Sequence, residues 1–111
     1  MNLDITFKNL RPRKELRERA DFLYAKLERF LDPAAEGTLM VSVEHGEAIL
    51  ELVVTTYGET HTAIEDDSEL RTALDKVFHT MENRLRRHKE RRTDRRHTGA
   101  PTEDGFAPVD S

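Results

Sequence analysis

The chain of 111 residues contains no cysteine, few aromatic residues and no long apolar run. The absence of cysteine excludes disulfides, thiolate metal sites and a cysteine nucleophile, and it is compatible with the reducing cytosol. Aromatic residues make up only 6% of the chain, so its core must be built mainly from aliphatic side chains. No apolar run approaches the roughly 20 residues of a membrane span, and the N-terminus lacks the pattern of a signal peptide. The sequence therefore predicts a single-domain cytoplasmic protein with no membrane partner.

Motifs for catalysis and cofactor binding are also missing. The chain has no P-loop, no GxGxxG and no GxSxG motif. Its five histidines are scattered along the sequence without metal-ligand spacing, at positions 45, 61, 79, 88 and 97. We therefore expect a protein that is not an enzyme and that has no catalytic residues, metal, cofactor or small-molecule substrate.

The charges are segregated along the chain, so the net charge of -4 is misleading. Residues 1–29 carry eight basic and five acidic side chains, whereas residues 30–83 carry two basic and twelve acidic ones. Residues 84–96 again carry eight basic side chains, against two acidic ones. A basic run of this kind is typical of a surface that binds a polyanion, and a solvated helix end is the alternative interpretation.

Apolar periodicity predicts the secondary structure. Alternating apolar residues indicate strands in residues 3–7, 39–43 and 48–54, with a short fourth strand near residues 60–64. His45-Gly46 and Tyr57-Gly58 are expected to form tight turns between strands. In residues 12–31, apolar residues recur at steps of three and four, which predicts a helix that starts at Pro12 and is stopped by Asp32-Pro33.

A second helix is predicted from the acidic cluster at residues 65–69 onward. Asp66 is expected to cap it, with Glu69 in the reciprocal position of a capping box. An apolar stripe runs from Leu70 to Leu85, and beyond it the same face turns basic, so this helix should overhang the sheet. The result is a two-layer α+β sandwich in the order β-α-β-β-β-α, with a four-stranded sheet and two helices on one face. Residues 1–97 form the predicted domain and residues 98–111 a disordered acidic tail.

Several segments of this chain resemble the ribosome hibernation promoting factors, a family also called protein Y, ribosome-associated inhibitor A or sigma-54 modulation proteins. The resemblance covers about residues 3–97. The matching segments are Ile5-Thr6, Leu16-Arg17, Ala25-Lys26-Leu27-Glu28-Arg29, Val41-Ser42-Val43-Glu44, Ala73-Leu74-Asp75 and Leu85-Arg86-Arg87-His88-Lys89-Glu90-Arg91.

The chain departs from the family at two places. Arg11-Pro12 stands where members commonly have Thr-Pro, which removes a helix cap worth on the order of 1 kcal/mol. Glu69-Leu70-Arg71 replaces a family Asp-Met-Tyr, so no role of that tyrosine carries over. The sequence resembles a divergent member of the short, tail-bearing form of the family, which lacks the C-terminal domain that pairs ribosomes.

The resemblance implies a fold similar to double-stranded-RNA-binding domains, and a partner in the small ribosomal subunit. Such a protein would bind rRNA in the decoding channel of the 70S ribosome as a monomer, block tRNA and mRNA, and protect idle ribosomes under stress or in stationary phase. Matching positions for rRNA contact are Lys26, Arg29, Arg87, Lys89 and Arg91, and helix geometry adds Arg84 and Arg92. The alternatives are a module that binds structured RNA in general or an acidic protein surface.

Overall fold

Four strands and two helices follow one another in the predicted order in this computed structural model, which describes residues 3–98 and side chains as far as Arg91. The strands are β1 (Leu3–Lys8), β2 (Glu36–Glu44), β3 (Glu47–Thr56) and β4 (Glu59–Asp67). The helices are α1 (Lys14–Lys26) and α2 (Leu70–Thr98), and a short 3₁₀ helix (Glu28–Phe30) follows α1. The predicted tail lies outside the described residues, apart from Thr98 at the end of α2.

The sheet has the strand order β1-β2-β3-β4. β1 lies parallel to β2, while β2, β3 and β4 form an antiparallel meander. Both predicted two-residue turns are confirmed, because His45 and Gly46 have φ values of 54° and 78°, and Tyr57 and Gly58 have values of 51° and 75°. Positive φ at both central residues gives the turn a twist that matches the strands it joins.

The core lies between one face of the sheet and the two helices. Along β2 and β3 the inward positions are buried, except Val43 near the end of β2, while their neighbours are partly or fully exposed. The alternation of the strands thus determines which residues form the core. The stripe of α2 is confirmed, since Leu74, Val77 and Met81 are completely buried. The predicted two-layer α+β architecture is confirmed.

The first helix starts later and ends earlier than predicted. Its first residue is Lys14, and Arg13 occupies the N-cap position without a side-chain hydrogen bond to the helix. Pro12 therefore precedes the helix instead of opening it. The helix ends at Lys26, and the chain tightens into the 3₁₀ helix before reaching Asp32.

The inward face of α1 also differs by one residue from the predicted one. Tyr24 is 2% exposed, whereas the predicted Leu23 is only partly buried. The tyrosine ring fits there because Gly37 of β2 lies beneath it, and a Cβ on that glycine would come within 2.7 Å of the ring. The missing side chain of one strand residue thus makes room for a large side chain on the helix.

The acidic cluster does not open the second helix, contrary to the prediction. Glu65, Asp66 and Asp67 end β4, and α2 begins only at Leu70. Asp67, not Asp66, stabilises the turn between them, because its Oδ1 accepts a hydrogen bond of 2.9 Å from the backbone N–H of Glu69. That hydrogen bond is the first cause of the lowered pKa of Asp67. The carboxylate of Glu69 accepts a hydrogen bond from Thr72 Oγ1.

Candidate nucleic-acid interface

The path of α2 across the sheet determines which of its basic residues are free of the core. The helix runs back along β4, as three contacts in order show: Lys76 Nζ to the Asp66 carbonyl at 2.7 Å, Thr80 to Glu65, and His88 to Glu59. His88 is 4% exposed and is the last buried residue described in α2. The buried stripe of α2 therefore continues three residues beyond Leu85, where the apolar residues predicted it to end. Residues 89–98 extend beyond it, a length of about 15 Å.

The basic residues of α2 lie on two opposite flanks of the helix. Successive residues of an α-helix are rotated by about 100° around its axis, which places Arg84, Arg87 and Arg91 within about 60° of one another around α2. We call these three residues the β4-side flank, because the charges of Arg84 and Arg91 both act on His61 of β4. Lys89 lies about 200° from Arg87 around the helix axis. The single basic face predicted from the sequence is thus two faces with the buried stripe between them.

The opposite flank of α2 meets the 3₁₀ helix around the ring of Phe30. The guanidinium of Arg29 lies 4.7 Å from the ring centroid, that of Arg86 6.0 Å, and the ammonium of Lys89 5.8 Å. We call Arg29, Arg86 and Lys89 the Phe30 cluster. Cation–π contacts of this kind hold charged groups against an aromatic face at about 0.5–1 kcal/mol each when exposed. The cluster unites two predicted contact residues, Arg29 and Lys89, from segments far apart in the sequence.

Glu82 arranges the guanidinium groups of this cluster. Its Oε2 accepts hydrogen bonds from Arg29 Nη2 at 3.1 Å and from Arg86 Nη2 at 2.9 Å. Two cations thus share one carboxylate, which leaves the group with a net positive charge. Arg86 was missing from the predicted site, although its spacing of four residues from Glu82 is the signal that could have identified it.

Lys26 lies on α1 and faces a different aromatic ring. Its Nζ is 4.6 Å from the centroid of Phe22, and the guanidinium of Arg19 is 5.6 Å from the same ring. Phe22 is 51% exposed, so this aromatic ring and the exposed Lys26 are accessible to a partner. Arg19 also pairs with Asp75 of α2 at 3.3 Å, which ties the two helices together. The seventh predicted residue, Arg92, belongs to α2, but its side chain lies outside the described residues.

Two histidines that are 27 residues apart in the sequence meet beneath the β4-side flank. The rings of His61 and His88 form an edge-to-face pair with centroids 5.0 Å apart, and both side chains are buried. Glu59 Oε1 lies 3.2 Å from His88 Nε2 and 3.9 Å from His61 Nε2. Burial, followed by the charge effects of His88, Arg84 and Arg91, lowers the pKa of His61 against the opposing effect of Glu59. The spacing of these residues in the sequence gave no indication of this group.

A family profile matches residues 3–93, and its description is sigma 54 modulation protein / S30EA ribosomal protein. The chain belongs to this family. The resemblance proposed from the sequence segments is confirmed. The chain is therefore a member of a family of ribosome-associated factors, and the family description names the ribosome and no chemical reaction.

Two solved structures share the fold of this chain. The N-terminal domain of Protein Y from Thermus thermophilus is 24% identical and superposes with a TM-score of 0.74, covering 79% of this chain and 99% of that domain. A ribosomal subunit interface protein from Coxiella burnetii is 20% identical, with a TM-score of 0.69, and covers 81% of this chain and 99% of its own. No curated protein sequence matches the chain. Within residues 3–98, neither helix is long and apolar enough to cross a membrane.

Proposed function

We propose that this protein binds the small ribosomal subunit and inhibits translation by occupying the decoding channel, where tRNA and mRNA would otherwise lie. Membership of the S30EA family supports the ribosome as the partner. The name of the Coxiella burnetii protein, a ribosomal subunit interface protein, agrees with this choice. The observation that carries the proposal is the distribution of cations on both flanks of α2, at the end where the helix leaves the core.

A helix with cations on two opposite flanks suits a channel better than a flat surface. On a flat polyanion only one flank can reach phosphate, and the other remains in solvent. Between two walls of rRNA, the β4-side flank and the Phe30 cluster can each contact phosphates of a different wall. Arginine and lysine on a rigid helix give affinity from the phosphate backbone with little readout of base sequence.

The proposed contact residues follow from this arrangement. They are the predicted Lys26, Arg29, Arg84, Arg87, Lys89, Arg91 and Arg92, with Arg86 added from the Phe30 cluster. Inhibition would be steric, because a domain in the channel excludes tRNA and mRNA without any reaction. We further propose that the protein acts in the cytoplasm as a monomer and preserves idle 70S ribosomes under stress or in stationary phase, with residues 98–111 as an accessory tail.

Competition on purified subunits tests the proposal. We expect the full chain to cosediment with 30S subunits and 70S ribosomes at low salt, and to be displaced when tRNA and mRNA are bound first. The 50S subunit is the matched control, since it presents rRNA without a decoding channel. Equal binding to 50S subunits would indicate a general binder of structured RNA, and simultaneous binding of tRNA and the protein to one 30S subunit would contradict the channel. If an acidic protein alone released the chain from 30S, 50S and 70S particles, the result would indicate that the basic surface binds a protein partner.

A further inference from the structure

Glu59, His61 and His88 form a group of potential metal ligands at the place where α2 leaves the sheet. Glu59 and His61 are two residues apart on β4, so both side chains lie on the face toward the helix. His88 comes from α2, which runs back along that strand. The ligand atoms, two imidazole nitrogens and a carboxylate oxygen, all lie within 4.8 Å of one another.

The hydrogen bonds of the described residues do not account for this group. His61 Nε2 is buried without a hydrogen-bond partner among them, since Glu59 Oε1 is 3.9 Å away. A buried polar atom without a partner costs roughly 1–3 kcal/mol. The same Oε1 atom lies 3.2 Å from His88 Nε2, so one carboxylate oxygen stands between two imidazole nitrogens. A cation between these three atoms would give each of them a partner.

We propose that Glu59, His61 and His88 bind one divalent transition-metal ion, with zinc as the best match to two imidazoles and a carboxylate. Zinc–ligand distances of about 2.0–2.2 Å place tetrahedral ligand atoms roughly 3.3–3.6 Å apart. The distance of 3.2 Å between Glu59 and His88 lies just below this range, and the distance of 3.9 Å between Glu59 and His61 exceeds it by a few tenths of an ångström. The side chain of Glu59 is 54% exposed and can move to close the difference. The exposed side of Glu59 gives water access to the fourth position.

The neighbouring charges limit the affinity of this site. Arg84 and Arg91 both lie close enough to act on His61, and their positive charge opposes the entry of a cation. We therefore expect a reversible site whose occupancy follows the available metal, and not a metal on which folding depends. Binding would fasten α2 to β4 at the base of its protruding segment. The inference stands apart from the proposed function, because it concerns this cluster alone and is measured without ribosomes.

Metal titration of the full chain tests the site. After treatment with a chelator and its removal, we expect zinc chloride to bind with one ion per chain in calorimetry and to raise the melting temperature. Cobalt(II) should give the visible absorption of a tetrahedral nitrogen and oxygen site. The variants His61→Gln and His88→Gln should each weaken zinc binding more than about a hundredfold. Replacing a residue that only hydrogen-bonds to a metal ligand usually weakens binding by about 10- to 100-fold. His79→Gln is the matched control, because His79 is an exposed histidine of the same helix.

Imidazole NMR on the unaltered chain keeps the test independent of whether the variants fold. Zinc should shift the ring resonances of His61 and His88 and leave those of His45 and His79 unchanged. Unaltered His61 and His88 resonances at saturating zinc would overturn the proposal. So would equal binding by the control and the two ligand variants, or dimerisation on zinc addition, which would place the ion between chains.

Discussion

Reversing the charge on one flank of α2 at a time distinguishes a helix bound between two walls of rRNA from a helix bound to a flat rRNA surface. The first variant, Arg87→Glu with Arg91→Glu, changes the β4-side flank. The second, Arg86→Glu with Lys89→Glu, changes the Phe30 cluster. These four side chains are exposed or only partly buried, so we expect all variants to stay folded. In the channel both variants should bind poorly, whereas on a flat surface only one of them should.

The expected magnitude follows from the number of cations. The β4-side flank contributes three described cations and the Phe30 cluster three more. At roughly 0.7–0.9 counterions released per phosphate contact, these six contacts, without those proposed for Lys26 and Arg92, give a slope of about -4 to -5 in log affinity against log salt. A fourfold increase in salt should then weaken binding by about a thousandfold. Each double variant should make the slope less steep by at least about 1.4. If the protein lay on a flat surface, the three contacts of a single flank would give the unaltered protein a slope of only about -2 to -3.

The assay is cosedimentation with 30S subunits across a salt series, run beside a melting curve for each variant. Lys8→Glu with Arg71→Glu is the matched control, since it makes the same change in charge at exposed positions of β1 and the start of α2. Lys76 is unsuitable for this purpose, because its ammonium is bound to the Asp66 carbonyl and to Asp67. A wild-type slope near zero, or a control as defective as the flank variants, would refute the reasoning.

Two further predictions concern stability. In the presence of a chelator, the free energy of unfolding should fall as the pH drops below about 6.5, because His61 takes up a proton there in the unfolded chain and only at a lower pH in the folded state, where its pKa is lowered. Melting curves at about pH 7.5 and 5.5 should show this loss of stability at the lower pH, and the loss should be smaller in the His61→Gln variant. An equal loss in both proteins would exclude His61 as its source. Gly37→Ala should cost about 1–3 kcal/mol in chemical denaturation, since the new Cβ meets the buried Tyr24 ring at 2.7 Å. The cost should shrink when Tyr24→Leu is combined with it, and an undiminished cost would place the strain elsewhere.

The parts of the fold that were predictable are those in which local pattern and tertiary packing agree. Alternation located the strands, the pairs His45-Gly46 and Tyr57-Gly58 located the turns, and the apolar stripe located the buried face of α2. The acidic end of β4 was assigned to the helix because carboxylates suit a helix start. In the structure, strand pairing with β3 extends as far as Asp67 instead.

The site was less predictable, because it depends on how α2 is placed over β4 and the 3₁₀ helix. His88 lies one helical step of three residues beyond Leu85, the last residue of the predicted stripe, and its contact with His61 follows only from the alignment of the helix with the strand. The Phe30 cluster likewise joins Arg29 to Lys89 across sixty residues of sequence. No periodicity within one element could reveal a contact between two elements.

The parallel pairing of β1 with β2 has a consequence for the order of folding. The meander of β2, β3 and β4 closes through turns of two residues, and such local contacts form quickly. β1 pairs with a strand more than thirty residues away, Leu3 opposite Gly37, so its contact requires the closure of a long loop. Of the four described strands, β1 is the first to leave the peptide exit tunnel during synthesis and is expected to be the last to join the sheet.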